Sequence, residues 1–543
     1  MALEMEAVAP AAPDTSGWAR TSWPPIFILV PSLLVTVAVM LPVAYVVGRT
    51  FGAGADAWDL LVQRSVLDTL LRTVFLSVAV TAATVTLAVP IAWLTVRTDL
   101  PFKRFWSVLT VLPLVIPSYV GALVAITALG PKGLVQQMLE GPFGIDRLPG
   151  IYGFSGSLLV LSFLSFPYVL LSVRAALWNL DPAMEEAARG LGLGAWATFR
   201  RVTLPHLRPA IAAGGLLVAL YTLSDFGAVS LLRFNSFTRV IYLQYETSFD
   251  RTLAAASSLV LVMVGFALLM IEARARGRSR YHRSAVGSAR EPSLVRLNAW
   301  RWPALLSVAT VVTISLVLPV TVLTYWLVRG WAAGESLSFV WGALFNSAYV
   351  SLLAAAATLA AALPVAFLTV RHTGWLSSML ERTTYVGFAL PGIVVALAFV
   401  YFGARYVTPL YQTLPLLVIV YVILFLPIAA GTIRASLLQL NPHVEEAARG
   451  LGRSPAHVFL TVLLPLLRTG LLASAVGVFL VTMKELPATL VLGPLGFKTL
   501  ATATWSASSS AFFARAAAPA LLILLISSLP VAFLTFREQR PAS

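Results

Sequence analysis

Pro90-Ile-Ala-Trp-Leu-Thr-Val-Arg97 recurs, with two conservative changes, as Pro364-Val-Ala-Phe-Leu-Thr-Val-Arg371, 274 residues further on. Ile116-Pro117 and Leu390-Pro391 keep that spacing. Beyond them it falls to 260: Pro167 pairs with Pro427, and Glu185-Glu-Ala-Ala-Arg-Gly-Leu-Gly192 is identical at all eight positions to Glu445-Glu-Ala-Ala-Arg-Gly-Leu-Gly452. The difference of 14 places an insertion in the first half, in a loop near 130–153. The repeated octets sit among uninterrupted apolar runs near 26–47, 70–96, 105–129, 155–176, 208–231 and 252–271, then 303–327, 346–369, 384–403, 412–433, 467–490 and 514–536. A run of about 20 apolar residues spans a bilayer as a helix. The chain therefore reads as all-α, a polytopic membrane protein of about 12 transmembrane helices in two parallel six-helix repeats. An even number of spans per repeat gives both copies the same orientation, with the pseudo-twofold axis along the membrane normal.

Composition agrees with that reading. Of 543 residues 59% are hydrophobic and only 11% charged, against about 25% charged in soluble domains, and mean hydropathy is +0.86. Large soluble domains are excluded. The division is a tail at 1–22, a first half at 23–272, a basic linker at 273–302, a second half at 303–536 and a tail at 537–543. With Glu4, Glu6, Asp14 and one basic residue, Arg20, the start has the wrong charge for a cleaved signal peptide, so the first span is expected to stay. Placing both termini in the cytoplasm puts roughly two thirds of the Lys and Arg inside, as the positive-inside rule requires. The net charge of +15 then reflects topology. Its densest cluster is the linker, where Arg274, Arg276, Arg278, Arg280, Arg283, Arg290, Arg296 and Arg301 meet only Glu272 and Glu291. No aromatic-interleaved basic domain accompanies it, so the partner is the lipid bilayer and no nucleic acid is expected. The absence of cysteine removes disulfides and thiolate chemistry.

The identical octets lie between the fourth and fifth spans of their halves, on the inner side of this topology. Each follows a helix-initiating pair, Asp181-Pro182 or Asn441-Pro442. At helical spacing Met184, Ala187, Ala188 and Leu191 share one face, while Glu185 and Arg189 pair at i,i+4 on another; Val444, Ala447, Ala448, Leu451, Glu445 and Arg449 repeat this. Gly190 and Gly192, like Gly450 and Gly452, can end that helix before Pro205 or Pro465 opens the next span. An amphipathic helix resting on headgroups is one reading. Headgroups do not demand identity, however, and two identical copies suggest two identical sockets on a symmetric cytoplasmic partner.

The pattern Glu186-Ala187-Ala188, Gly192 and Val202-Thr-Leu-Pro205, with Glu446-Ala447-Ala448, Gly452 and Val462-Leu-Leu-Pro465, resembles the EAA loop of binding-protein-dependent ABC importer permeases. The one departure is valine where isoleucine is common. The resemblance covers nearly the whole chain and implies a fused double permease of a bacterial inner membrane. It implies coupling helices within 181–205 and 441–465 that dock on two copies of a cytoplasmic ABC ATPase. On that basis Glu185, Glu186, Ala187, Ala188, Gly192 and Pro205, with Glu445, Glu446, Ala447, Ala448, Gly452 and Pro465, are the coupling residues.

Thr222-Leu-Ser-Asp225-Phe-Gly-Ala-Val229 follows the fifth span, and Thr482-Met-Lys-Glu485-Leu-Pro-Ala-Thr489 stands at the matching place. Counted from Arg208 and Arg468, Asp225 and Glu485 lie about 25 Å along their helices, in the outer half of the membrane. An ionisable group there needs a polar cavity or a partner. Asp225 and Glu485 are therefore pathway candidates, and transient metal-binding candidates, expected to face each other near the outer mouth. The competing reading puts them at headgroup level, or pairs Glu485 with Lys484. His206, His282, His372, His443 and His457 all fall in predicted cytoplasmic segments, which leaves a hard, oxygen-held cation as the compatible metal. The stretches 224–233, 483–489 and 496–502 resemble the ferric-iron subgroup of fused permeases. That implies import of Fe(III) from an extracytoplasmic binding protein; thiamine and phosphonate permeases share the architecture.

The phosphate-cradling pattern G-x-x-x-x-G-K-[ST] occurs nowhere in the chain, and Gly493-Pro-Leu-Gly-Phe-Lys498 has the wrong spacing. The chain is thus a transport subunit rather than an enzyme, with no cofactor of its own and ATP on partner subunits. An ion-coupled secondary transporter is the rival from another class, but it needs no identical cytoplasmic helices. Pro42, Pro117, Pro167, Pro391 and Pro427 within spans are either gating kinks or ordinary membrane-helix prolines.

Overall fold

The computed structural model describes residues 26–52, 59, 61–247, 251–277, 294–372, 374–441 and 443–538. The expected 1–22 tail, most of the basic linker, Pro442 and the last residues, 539–543, lie outside them. Among the described residues there is no strand, only one isolated bridge between Thr98 and Val295.

The first half runs α1 (Ile26–Phe51), α2 (Arg64–Arg97), α3 (Lys103–Leu109), α4 (Ser118–Leu129), α5 (Leu134–Phe143), α6 (Phe154–Asn179), α7 (Pro182–Gly190), α8 (Leu204–Ser224), α9 (Gly227–Leu231), α10 (Phe237–Glu246) and α11 (Arg251–Gly277). The second runs α12 (Arg301–Val312), α13 (Leu318–Ala332), α14 (Ser338–Arg371), α15 (Trp375–Ala389), α16 (Gly392–Tyr406), α17 (Leu414–Gln439), α18 (His443–Gly450), α19 (Arg468–Met483), α20 (Pro487–Leu492), α21 (Leu500–Ser509) and α22 (Phe513–Glu538). The extra loop of the first half contains α5; its counterpart is a single turn, Thr408–Leu410.

Among the described residues ten segments are long and apolar enough to cross a membrane, or 11 if the pair Phe459–Leu466 and Arg468–Met483, bent by 66°, is one span. This agrees with a polytopic all-α membrane protein of two repeats, and two of the expected spans are broken. At the ninth, α15 and α16 are separated by Leu390-Pro391. The third is divided likewise, by Ile116-Pro117. Proline disfavours the helical conformation in the residue before it, and Ile116 and Leu390 are both extended, with ψ of 118° and 110°. Pro42, Pro167 and Pro427 sit inside continuous helices. These five prolines thus divide into two that break helices and three that do not. Many serine and threonine hydroxyls within spans bond back one turn, as Thr73 does to the Thr69 carbonyl and Thr482 to that of Val478, which keeps those groups satisfied without water.

Packing repeats as the sequence does. Helices α2, α6 and α8 pack together, as do α14, α17 and α19. At Gly214 the backbones of α8 and α6 come so close that a Cβ would sit 2.8 Å from the Cα of Val169, a small-residue contact typical of membrane helices. The leading helices are exchanged: α1 packs on α14, α15 and α16 of the second half, while α13 packs on α4 and α12 on α2 of the first. Trp178, Trp300, Trp302 and Trp375 are exposed at the end of the molecule that carries α7 and α18, and Trp331 and Trp341 at the other. These are the positions interfacial aromatic belts occupy.

Candidate functional site

The repeated octets form α7 and α18. The Asp181 carboxylate accepts from the Ala183 amide and the Asn441 side chain from that of His443, both at 3.0 Å, so each cap forms as its residue type dictates. Gly192 and Gly452 end the helices at φ of 86° and 79°, a conformation that costs glycine no Cβ clash. A short turn and a π-helical turn follow, entering helices with Pro205 or Pro465 near their starts.

The two faces point opposite ways from an ordinary surface helix. Met184, Ala187, Leu191 and Gly192 are exposed, as are Val444, Ala447, Leu451 and Gly452, with Leu191 at 86% and Leu451 at 83%. Glu185 and Glu445 are buried, at 3% and 6%. Ala188 is buried, Ala448 and Glu186 are half-buried and Glu446 is exposed, 3.1 Å from His443 Nδ1. Paired apolar prominences on one end of a membrane protein mark an interaction surface, for a protein or for the membrane.

What holds the buried glutamates was missed in the sequence. Glu445 forms an ion pair of 2.5 Å with Arg371. Glu185 accepts from Thr203 Oγ1 at 2.8 Å and lies 3.8 Å from Arg97 and 3.9 Å from Arg189. Arg97 in turn donates to the Leu177 and Leu180 carbonyls at 3.0 and 3.1 Å. The signal was present: Arg97 and Arg371 end the repeated octets at the spacing of 274, just as the glutamates recur at 260. The anchors are unequal, since Leu463 stands where Thr203 does in the other half. Beside the second anchor is His372, whose Nδ1 is buried and has no hydrogen bond among the described residues. Burial, then the Arg449 guanidinium, holds its imidazole below the ordinary range.

These anchors join α7 and α18 to the far side. Arg97 ends α2 and Arg371 ends α14, and about 36 Å along each helix Thr73 Oγ1 accepts from the Phe237 amide of α10, as Ser347 Oγ accepts from Leu500 of α21, at 3.1 and 2.7 Å. Asp225 lies beside the start of α10, its carbonyl accepting from Thr238 Oγ1. Asp225 Oδ1 accepts from the Ala228 and Val229 amides, and Glu485 from those of Ala488 and Thr489 and from Thr489 Oγ1. Each therefore caps the short helix that follows a break. No hydrogen bond or ion pair among the described residues joins Asp225 to Glu485; each is held inside its own half, and no group of three or more His, Cys, Asp or Glu there could hold a metal. Lys484 turns away from Glu485 and donates across the halves to the Leu114 carbonyl at 2.9 Å. Phe226 also crosses, its ring 5.1 Å from Trp505.

Two six-helix repeats with matched, internally anchored loops on one end are the arrangement of an importer permease, and sequence comparison decides the matter. Residues 84–278 and 336–542 each match the family described as binding-protein-dependent transport system inner membrane component. The chain belongs to that family. This permease is similar to the Fe(3+)-transport system permease protein FbpB 2 of Haemophilus influenzae, 34% identical over 94% of the chain and 97% of the relative. It also resembles the ferric transport system permease protein FbpB of Actinobacillus pleuropneumoniae, 26% identical over 84% of the chain and 69% of the relative. The molybdenum transport system permease protein ModB of Escherichia coli is 34% identical over 29% of the chain and 69% of its own length. The permease is a multi-pass inner-membrane transport component, not an enzyme, and its family works with ATPase and binding-protein partners.

Proposed function

We propose that this permease imports ferric iron delivered by an extracytoplasmic binding protein, powered by two copies of a cytoplasmic ATPase docked on the loops 181–205 and 441–465. Both termini and the coupling helices lie in the cytoplasm. The observation that carries the substrate is end-to-end similarity to the Haemophilus ferric permease; the molybdenum permease matches less than a third of the chain. The docking assignment is supported by the outward apolar faces of α7 and α18.

Closure of ATP-bound subunits would move α7 and α18. Because Arg97 and Arg371 tie those helices to α2 and α14, the displacement reaches Thr73 and Ser347, and with them α10 and α21. Those two helices flank the breaks where the halves meet, so rocking at the coupling end alters the contact at the far end. ATP and loaded binding protein must favour different arrangements for this to do work. Asp225 and Glu485 act as hinge caps in this scheme, and iron passes between the halves without a standing metal site.

The test is energy-dependent uptake of radiolabelled ferric iron in iron-starved cells lacking other iron importers, with and without the gene. Loss on deletion and recovery on complementation supports the reading. Unchanged ferric uptake, with loss of molybdate, thiamine or phosphonate uptake instead, overturns the substrate and keeps the permease.

A further inference from the structure

The two seams where the leading helices cross to the opposite half are not alike. Where α1 lies on α16 there are two adjoining cavities of ≈ 210 and ≈ 290 Å³ that share Tyr45 and Tyr401, whose rings are 4.9 Å apart. The first is apolar inside, lined by Val46, Ala254, Val394, Leu397 and Val400, and carries Arg405 at its wall; the second carries Arg49. Both arginines stand in the last turn of their helices, at the membrane edge opposite the coupling loops. Neither has a hydrogen bond or ion pair among the described residues, and both are exposed.

The corresponding helix of the second half, α13, is built differently at this level. Leu41-Pro42-Val43 matches Leu318-Pro319-Val320, which sets Gly48 and Arg49 against Tyr325 and Trp326. Trp326 packs on Phe513 with centroids 5.5 Å apart, and Arg329 covers the Trp326 ring at 5.5 Å. At Gly48, by contrast, a Cβ would meet nothing within 4 Å. At this level α13 carries Tyr325, Trp326 and a stacked Arg329 beside a one-helix groove of ≈ 520 Å³, whereas α1 carries Gly48 and Arg49, and its cavities reach across to Arg405 of the other half.

We infer that the α1–α16 seam binds one anionic phospholipid, an acyl chain in the apolar cavity and its phosphate between Arg49 of the first half and Arg405 of the second. Arginine suits phosphate because its fork offers paired donors, and tyrosines favour the level where chain meets headgroup. The bilayer supplies this ligand at high local concentration, and the cavity's apolar depth matches a lipid better than a free ion. A lipid seated there bridges the halves at the end where they must part.

The test is native mass spectrometry of the intact transporter in detergent with phosphatidylglycerol or phosphatidylethanolamine added. The expected result is retention of one phosphatidylglycerol in preference to phosphatidylethanolamine, reduced about tenfold in R49Q/R405Q and unaffected by R329Q on α13. Gly48→Leu, which keeps both charges and fills space, should reduce retention as well and serves if the double variant fails to fold. Equal retention of the two lipids, phosphatidylglycerol retention unchanged in both R49Q/R405Q and Gly48→Leu, or displacement of the lipid by excess inorganic phosphate would overturn the inference.

Discussion

Removing one partner of the Arg371–Glu445 pair should uncouple the second half, and removing both should largely repair it. The pair is nearly enclosed, with side chains 10% and 8% exposed. Glu445→Gln leaves the Arg371 guanidinium charged and unpaired, a defect of about 3–5 kcal/mol. That energy falls on the seating of α18, a helix of 8 residues with few other holds, and shifts its docked population by between about 10² and 4 × 10³-fold. Replacing a buried pair by uncharged groups is close to neutral, so R371M/E445Q should recover to within about 1 kcal/mol of the parent. At the first anchor Thr203 still donates to Glu185 when Arg97 is changed, and a hydrogen bond to a charged group is worth about 1.5–3 kcal/mol. Arg97→Met should therefore hurt less than Arg371→Met. The assay is binding-protein-stimulated ATP hydrolysis in proteoliposomes, with thermal unfolding of the same variants as the stability control. If R371M/E445Q is as inactive as E445Q while equally stable, the pair is not what positions α18, and Glu445 acts through the partner directly.

Two further outcomes follow from local geometry. Ser118 lies beside Asp225 and against Gly227, where a Cβ would stand 2.9 Å from its Oγ, while at the matching place Gly392 faces Glu485, with Oε1 3.2 Å from a would-be Cβ. The shorter acid thus goes with serine and the longer with glycine, so Asp225→Glu alone should lower the thermal midpoint by overpacking worth about 1–3 kcal/mol and S118G/D225E should restore it; a double variant no better than the single one refutes the pairing. His372 has a lowered pKa from burial and Arg449, so its neutral form contributes stability that is full above the unfolded value and is lost as pH falls through that value toward the folded one. Arg371 and Glu445 lie beside it, and His372→Gln should flatten the loss of thermal midpoint between about pH 7.5 and about pH 5.5; an unchanged slope rules this group out.

The sequence was a good guide where one physical cause dominates. Apolar length and the repeat spacing placed the helices and the insertion, and Asp181, Asn441, Gly192 and Gly452 act as their chemistry requires. The breaks at Pro117 and Pro391 were quoted as equivalent but not distinguished from Pro42, Pro167 and Pro427, because proline is tolerated or not according to neighbours that sequence does not list. Amphipathicity suggested which residues share a face of α7, but not that the apolar face points outward and Glu185 inward. That inversion depends on Arg97, 88 residues away. For Asp225 and Glu485 the intramembrane acid rule gave a pathway ligand. It did not reveal the run of free amides at the start of α9 and α20 that these carboxylates cap, which local sequence, Asp-Phe-Gly and Glu-Leu-Pro, could have suggested.

The proposal that the outward faces of α7 and α18 are the ATPase contacts, with Glu185 and Glu445 as internal anchors, is tested most directly by thiol labelling. The chain has no cysteine, so the single variants Leu191→Cys, Leu451→Cys, Glu185→Cys and Glu445→Cys can each be probed with a membrane-impermeant maleimide in inverted vesicles, with and without the ATPase subunit. The predicted result is that the thiols introduced at positions 191 and 451 react readily and are protected by the ATPase, whereas those at positions 185 and 445 react slowly in either condition. Undiminished reaction at 191 and 451 with the ATPase bound, or protection confined to 185 and 445, would contradict it.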